Sequence, residues 1–272
     1  MPEHIKPAAF IVLRVVSAVL LFWISSLLIP TQKIDKQDYK RMFACAVFGI
    51  AINQLLFFKG LSLTSPIHAS IMMLCSPILV IIISTLLHSD DFNKRQYIGM
   101  ALSFGAAFWL VTSSIASSQK EATAFGDICI LLNALSWGYY LVIVRTLMQK
   151  YHTITVMKWI FLIGVFIVTP IGFGDLKNIQ WHDFTTNLWL AFAYVTIATT
   201  FIAYILNNYA LKALSPGVVS NYIYLQPVLA TVVALYLGKD NLNSYKILSA
   251  IIIFVGVYLV GKKNNTAVKN EI

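Results

Sequence analysis

Asn133, Trp137 and Tyr140 are spaced four and three residues apart, so a helix would carry them on one face. An amide beside two amphipathic rings suits a pocket for a small polar or zwitterionic solute. The same stripe also suits plain interhelical packing with the amide bonded to a neighbour. A second cluster lies at Asn221, Tyr222, Tyr224 and Gln226, which is more polar surface than lipid contact tolerates. Asn221 and Tyr224 share one face and are expected to turn towards a cavity. A third set is Asn53, Gln54 and Phe57. It corresponds, 150 positions later, to Ala203, Tyr204 and Asn207, with Asn208 adjacent. These amides either contact substrate or bond each other across helices, the latter stabilising by about 1 kcal/mol.

The residues absent from the apolar segments are as informative. Every Asp and Glu lies in a loop, a tail or at a segment end, so no carboxylate is available at mid-membrane for a proton or sodium relay. Facilitated diffusion or exchange is the expected mode. There is no G-x-S-x-G, no H-E-x-x-H and no phosphate-binding glycine loop, so no catalytic residue is assigned and an enzyme is not expected. No cofactor is implied. His68 has no second ligand at metal spacing, so no metal site is expected. Cys45, Cys75 and Cys129 form no C-x-x-C pair and read as small apolar residues. Arg14 is the one arginine or lysine well inside an apolar run. It either attracts a carboxylate substrate or snorkels to headgroups or a neighbouring helix, and the structural role is the one expected.

These residues need a membrane-spanning scaffold. Of 272 residues, 58% are hydrophobic and only 11% charged, too few charges to cover a soluble domain. The net charge of +9 is dispersed between apolar runs, which signals topology and lipid headgroups, not nucleic acid. Nine spans are predicted, over 8–29, 42–62, 66–87, 96–114, 127–148, 155–173, 187–209, 216–237 and 245–261. Leu61 to Phe104 recurs without gaps as Leu211 to Phe254, pairing Ser65-Pro66, Ser70 and Pro77 with Ser215-Pro216, Ser220 and Pro227. Pro77 and Pro227 each remove a backbone donor, which would free the carbonyls of Met73 and Ile223. Matched bends suit a hinge, or else a static kink. Ser70 and Ser220 read as small residues that let helices approach.

Basic residues favour the side carrying Lys36, Arg41, Lys94, Arg95, Arg145 and Lys150 over the side carrying Lys6, Lys59 and Lys177, which predicts a cytoplasmic C-terminus. The repeat extends to 8–29 with 155–173 and 42–62 with 187–209, leaving 127–148 without a mate. The expected architecture is therefore an all-α helical bundle built from an inverted five-helix repeat whose first helix is absent. Residues 1–114 form the incomplete first repeat and 115–272 the second with its tail.

Pro7 to Arg14 (PAAFIVLR), Gly126 to Arg145 (GDICILLNALSWGYYLVIVR), Tyr209 to Pro227 (YALKALSPGVVSNYIYLQP) and Ile253 to Val260 (IFVGVYLV) resemble the EamA-type, ten-helix members of the drug/metabolite transporter superfamily. The resemblance covers nearly the whole chain. It implies outward movement of small polar organic molecules, amino acids among them, across a bacterial inner membrane. The Gly-Glu that follows the fourth and ninth helices in that group appears here as Ser89-Asp90-Asp91 and Gly238-Lys239-Asp240, read as helix caps. The expected substrates are neutral or zwitterionic metabolites moved by alternating access. The implied partners are that solute and membrane lipids, with a homodimer left open. The rival readings are a truncated, non-transporting carrier remnant and, less favoured, a membrane-embedded enzyme.

Overall fold

The computed structural model describes residues 5–30, 32–87, 92–113, 123–179, 181, 184–238 and 243–262. Among these, nine helices reach membrane length. They are α1 (Pro7–Ser26), α2 (Lys36–Leu63), α3 (Pro66–Leu74 and Ser76–Leu86), α4 (Lys94–Ser113), α5 (Ala124–Lys150), α6 (Thr153–Lys177), α7 (Thr186–Ala210), α8 (Pro216–Tyr236) and α9 (Ser244–Gly261). Eight are also apolar enough to span a bilayer by composition; α4 is the exception, since it opens on Lys94, Arg95 and Gln96. No strand occurs among the described residues. The bundle is all-α, as predicted. The acidic caps expected at Ser89-Asp90-Asp91 and Lys239-Asp240 lie outside the described residues.

Short local signals start these helices. Ser65 and Ser215 each accept a hydrogen bond from the backbone N–H three residues on, at His68 and Val218, with proline at the next position. Serine satisfies an orphan amide, and proline has none to satisfy. Thr123 and Thr185 cap α5 and α7 in the same way.

One boundary departs from expectation. The span predicted from residue 42 begins at Lys36, in a single 3₁₀ turn. Asp38 draws that turn in: its carboxylate accepts from Lys150 Nζ at 2.6 Å and Tyr151 Oη at 2.8 Å, with Arg41 at 3.9 Å. Lys150 also pairs with Asp35. These contacts tie the start of α2 to the end of α5, so a polar stretch continues a helix instead of forming a loop.

The repeat is visible in the packing. α1 lies along α6 and α4 along α9, the two most extensive helix pairings. Five crossings separate each pair, so partners run antiparallel. At α4/α9, Gly99 and Gly256 bring backbones together: a Cβ on Gly256 would sit 2.5 Å from the Gly99 carbonyl oxygen. Without a hydrophobic force between helices in lipid, such close approach supplies the packing. α5 is deeply enclosed, with Asn133, Ala134, Ser136, Gly138, Tyr140 and Leu141 all buried. Large side chains such as Leu20, Ile24, Phe166, Leu190, Leu206 and Leu229 face outward, as a lipid-facing surface requires.

Candidate functional site

A cavity of about 330 Å³ lies at the centre of the bundle, where α1, α2, α3, α5, α7 and α8 meet. The site begins with two irregular turns. α2 widens to a π-helix over Val47–Ile52, and α7 does so over Val195–Ile202. A π-turn lengthens the backbone bond to i→i+5 and leaves carbonyl oxygen to be satisfied elsewhere. In α2 the neighbours provide the donors. Ser136 Oγ donates to the Phe48 carbonyl at 2.7 Å, Tyr204 Oη to Gly49 at 2.9 Å, and Asn133 Nδ2 to Asn53 at 2.6 Å. In α7 the helix serves itself, with Thr199 and Thr200 hydroxyls both donating to the Val195 carbonyl at 2.7 and 3.0 Å.

Directly after each π-turn come the cavity-lining residues. Asn53 and Phe57 of α2 and their repeat counterparts Ala203 and Asn207 of α7 all line the space. Asn133 and Trp137 of α5 and Tyr204 of α7 join them. Asn207 Nδ2 bonds back to the Ala203 carbonyl at 3.2 Å, which leaves its amide oxygen for other partners.

The remaining candidates stand behind the wall. Tyr140 is fully buried, donates to Asn208 Oδ1 at 2.9 Å and packs on Trp137 with ring centroids 5.0 Å apart. It braces the lining without reaching it. Gln54 is likewise buried, with its amide beside the Tyr204 hydroxyl. Asn221 and Tyr224 do not face the cavity. They are buried, and Tyr224 packs among Leu74, Met100, Leu110 and Ile253. Tyr222 and Gln226, the other face of that helix, line the cavity instead, with Val219, Ser220 and Ile223. Both faces of the segment carry polar groups at helical spacing. Which one turns inward follows from how α8 seats on α3, α4 and α9, a tertiary choice.

The paired prolines also behave differently from the simple expectation. α3 breaks at Cys75 just before Pro77, and α8 passes through a 3₁₀ turn over Tyr222–Tyr224 before Pro227. Met73 and Ile223 both line the cavity, but their carbonyls are not left free. Amides at each break tighten to i→i+3 bonding and donate to Met72 and Met73 in one helix and to Tyr222 and Ile223 in the other. Ser220 is buried, as a close-packing residue should be, yet it also borders the cavity and donates to the Gly217 carbonyl at 3.1 Å.

For Arg14, a carboxylate anchor and a structural role are both open in the sequence, with the structural role expected. It lines the cavity, with its guanidinium 5.5 Å from the Phe58 ring centroid, and does not snorkel to an interface. Its Nε is buried without a hydrogen-bond partner. The available signal was its depth in α1, two turns from Pro7. His68 pairs with Asp127 at 3.1 Å at the far end of α3 and α5, away from the cavity. No group of three or more potential metal ligands occurs among the described residues.

The order of these segments can be compared with known proteins. A family model described as the EamA-like transporter family matches residues 1–112 and 124–262. The chain belongs to this family. Relatives include the uncharacterized transporter YyaM of Bacillus subtilis, 22% identical over 85% of this chain and 77% of its own length. An uncharacterized transporter of Archaeoglobus fulgidus is 24% identical over 90% of this chain and 82% of its own. The WAT1-related protein At2g40900 of Arabidopsis thaliana is 24% identical over 82% of this chain and 62% of its own. One solved crystal structure superimposes with a TM-score of 0.76 at 16% identity, covering 94% of this chain and 88% of its own, which supports the fold. As an EamA-like protein the chain is a multi-pass membrane transporter for small molecules.

Proposed function

We propose that this transporter moves small neutral or zwitterionic organic metabolites, amino acids among them, outward across a bacterial inner membrane by alternating access. Residues 1–114 and 115–272 act as the two repeats, and the C-terminus faces the cytoplasm. The observation that carries the reading is the central cavity. Its wall draws matched residues from both halves, Asn53 and Phe57 with Ala203 and Asn207, and adds Asn133, Trp137 and Tyr204. A site shared between repeats can open to either side as one half rocks against the other. Amides and rings fix a polar solute's orientation, while the wall contributes no carboxylate for a proton relay. The breaks before Pro77 and Pro227, each adjoining the cavity, serve as the bending points.

Purified protein in liposomes, preloaded with one unlabelled amino acid and given the same labelled compound outside, tests this. Counterflow across an amino-acid panel without an imposed gradient is expected. Strong accumulation that requires a pH gradient would overturn transport without a relay. Absence of counterflow for the whole panel would overturn the substrate class.

A further inference from the structure

Arg14 poses a question that membership in a transporter family does not answer. A guanidinium in the low-dielectric centre of a membrane protein is costly without an anionic partner or a full set of acceptors. Among the described residues Arg14 has neither. The Phe58 ring lies 5.5 Å away and the Tyr204 phenol also lies near it, its Nε is unbonded, and no acidic side chain borders the cavity it lines. Arginines elsewhere in membrane segments commonly pair with Asp or Glu, whereas this one faces an open polar space. A protein cation kept without its anion at a ligand site is matched when the ligand brings the anion.

We propose that Arg14 is the anchor for a substrate carboxylate, which redraws the class as small solutes bearing one carboxylate: zwitterions stay in it, solutes without the anion leave it, and simple monocarboxylates enter it. The proposal rests on the cavity being the transport site. The planar fork of arginine presents paired N–H donors that fit a carboxylate bidentately, a geometry lysine does not reproduce. Around it, Asn53, Asn207 and Gln226 offer uncharged acceptors, and Trp137, Tyr204 and Tyr222 offer ring faces for the solute's body. With no acid on this wall, an ammonium group finds dipoles and ring faces but no opposite charge. Recognition therefore requires the carboxylate and does not require the amine. Amino acids and their deaminated acids bind; amino-acid amides, which keep the amine and lose the anion, do not.

The experiment uses the full chain in detergent and in liposomes. The probes are a panel of amino acids, the matching amides and the matching deaminated acids. Binding is read by ligand-induced thermal stabilisation and transport by counterflow. For the wild type, acids and amino acids should bind roughly 10- to 100-fold more tightly than the amides, the range of a charge-assisted bond. Arg14→Gln should erase that preference while the unliganded protein melts near the wild-type temperature. Arg14→Lys should restore part of it as a point charge. Equal affinity for amides and acids in the wild type would overturn the proposal. So would an Arg14→Gln protein that still prefers carboxylates; counterflow of amino acids by both would then keep the transport reading while removing Arg14 from it. If the wild type neither binds nor exchanges any probe, the transport reading fails together with the anchor. A merely structural arginine would lower the melting temperature without changing the ratio of acid to amide, and that too counts against the proposal.

Discussion

Substituting Gly49 by alanine tests whether the brace behind the cavity is as tight as its geometry requires. Gly49 lies in the π-turn of α2, and a Cβ placed there would be 2.3 Å from Tyr140 Cδ2, where ordinary contact starts at 3.4 Å. The ring would have to retreat by about 1.1 Å, the difference of those two distances. It has nowhere open to go, because Tyr140 is fully buried against Trp137 and Tyr204. The movement would also pull its hydroxyl from Asn208, now at 2.9 Å. Overpacking of this kind costs about 1–3 kcal/mol. A lost hydrogen bond between helices adds about 0.6–1 kcal/mol. Together these lower the melting temperature by roughly 5–10 °C for a chain of this size. Thermal unfolding of purified protein in one detergent, followed by intrinsic fluorescence, measures the shift. Trimming the ring in Gly49→Ala/Tyr140→Leu should recover stability relative to the sum of the single changes, giving a coupling of more than about 1 kcal/mol. A Gly49→Ala protein that melts as the wild type does, or a double variant whose losses simply add, would refute the argument.

Other perturbations probe different contacts. Gly256→Val should be more damaging than the same change at Gly261, because its side chain would strike backbone at Gly99, where no rotamer change gives relief, whereas nothing lies near Gly261; paired melting curves separate them. Asp38→Asn weakens the tie between α2 and α5 and should cost about 1–3 kcal/mol, with the difference from wild type shrinking in high salt. His152, in the turn between α5 and α6, has its pKa held below the ordinary 6.5, first by burial and then by Lys212. The unfolded chain therefore takes up this proton first, so stability should decline as pH falls below about 6.5, and His152→Asn should flatten that step in pH-dependent melting.

Much of the architecture was readable before any coordinates. Apolar length and punctuation by Pro, Ser and Asn placed nine helices within a few residues, because a bilayer forces every backbone group into local hydrogen bonds. The exception at Lys36 is instructive: Asp38 is polar in sequence and becomes helical through partners 112 and 113 positions away. The candidate site divides in the same manner. Asn53, Phe57, Asn133, Trp137, Tyr204 and Asn207 are brought to one cavity, and repetition had already linked four of their positions. Tyr140 and Gln54 share those helices but stand one layer back, a distinction of helix rotation that spacing does not encode.

What the sequence determined by itself was the class of the molecule, the order of the helices among its described residues, and the pairing of one half with the other. Those properties follow from local hydrogen bonding in lipid and from duplication, and both leave marks along the chain. Tertiary structure alone decided which face of α8 turns inward, where the π-turn carbonyls of α2 find donors, and that Arg14 meets the cavity. Each depends on contacts between helices far apart in the chain, and a side chain's partner in such a contact is set by packing and not by its neighbours in sequence.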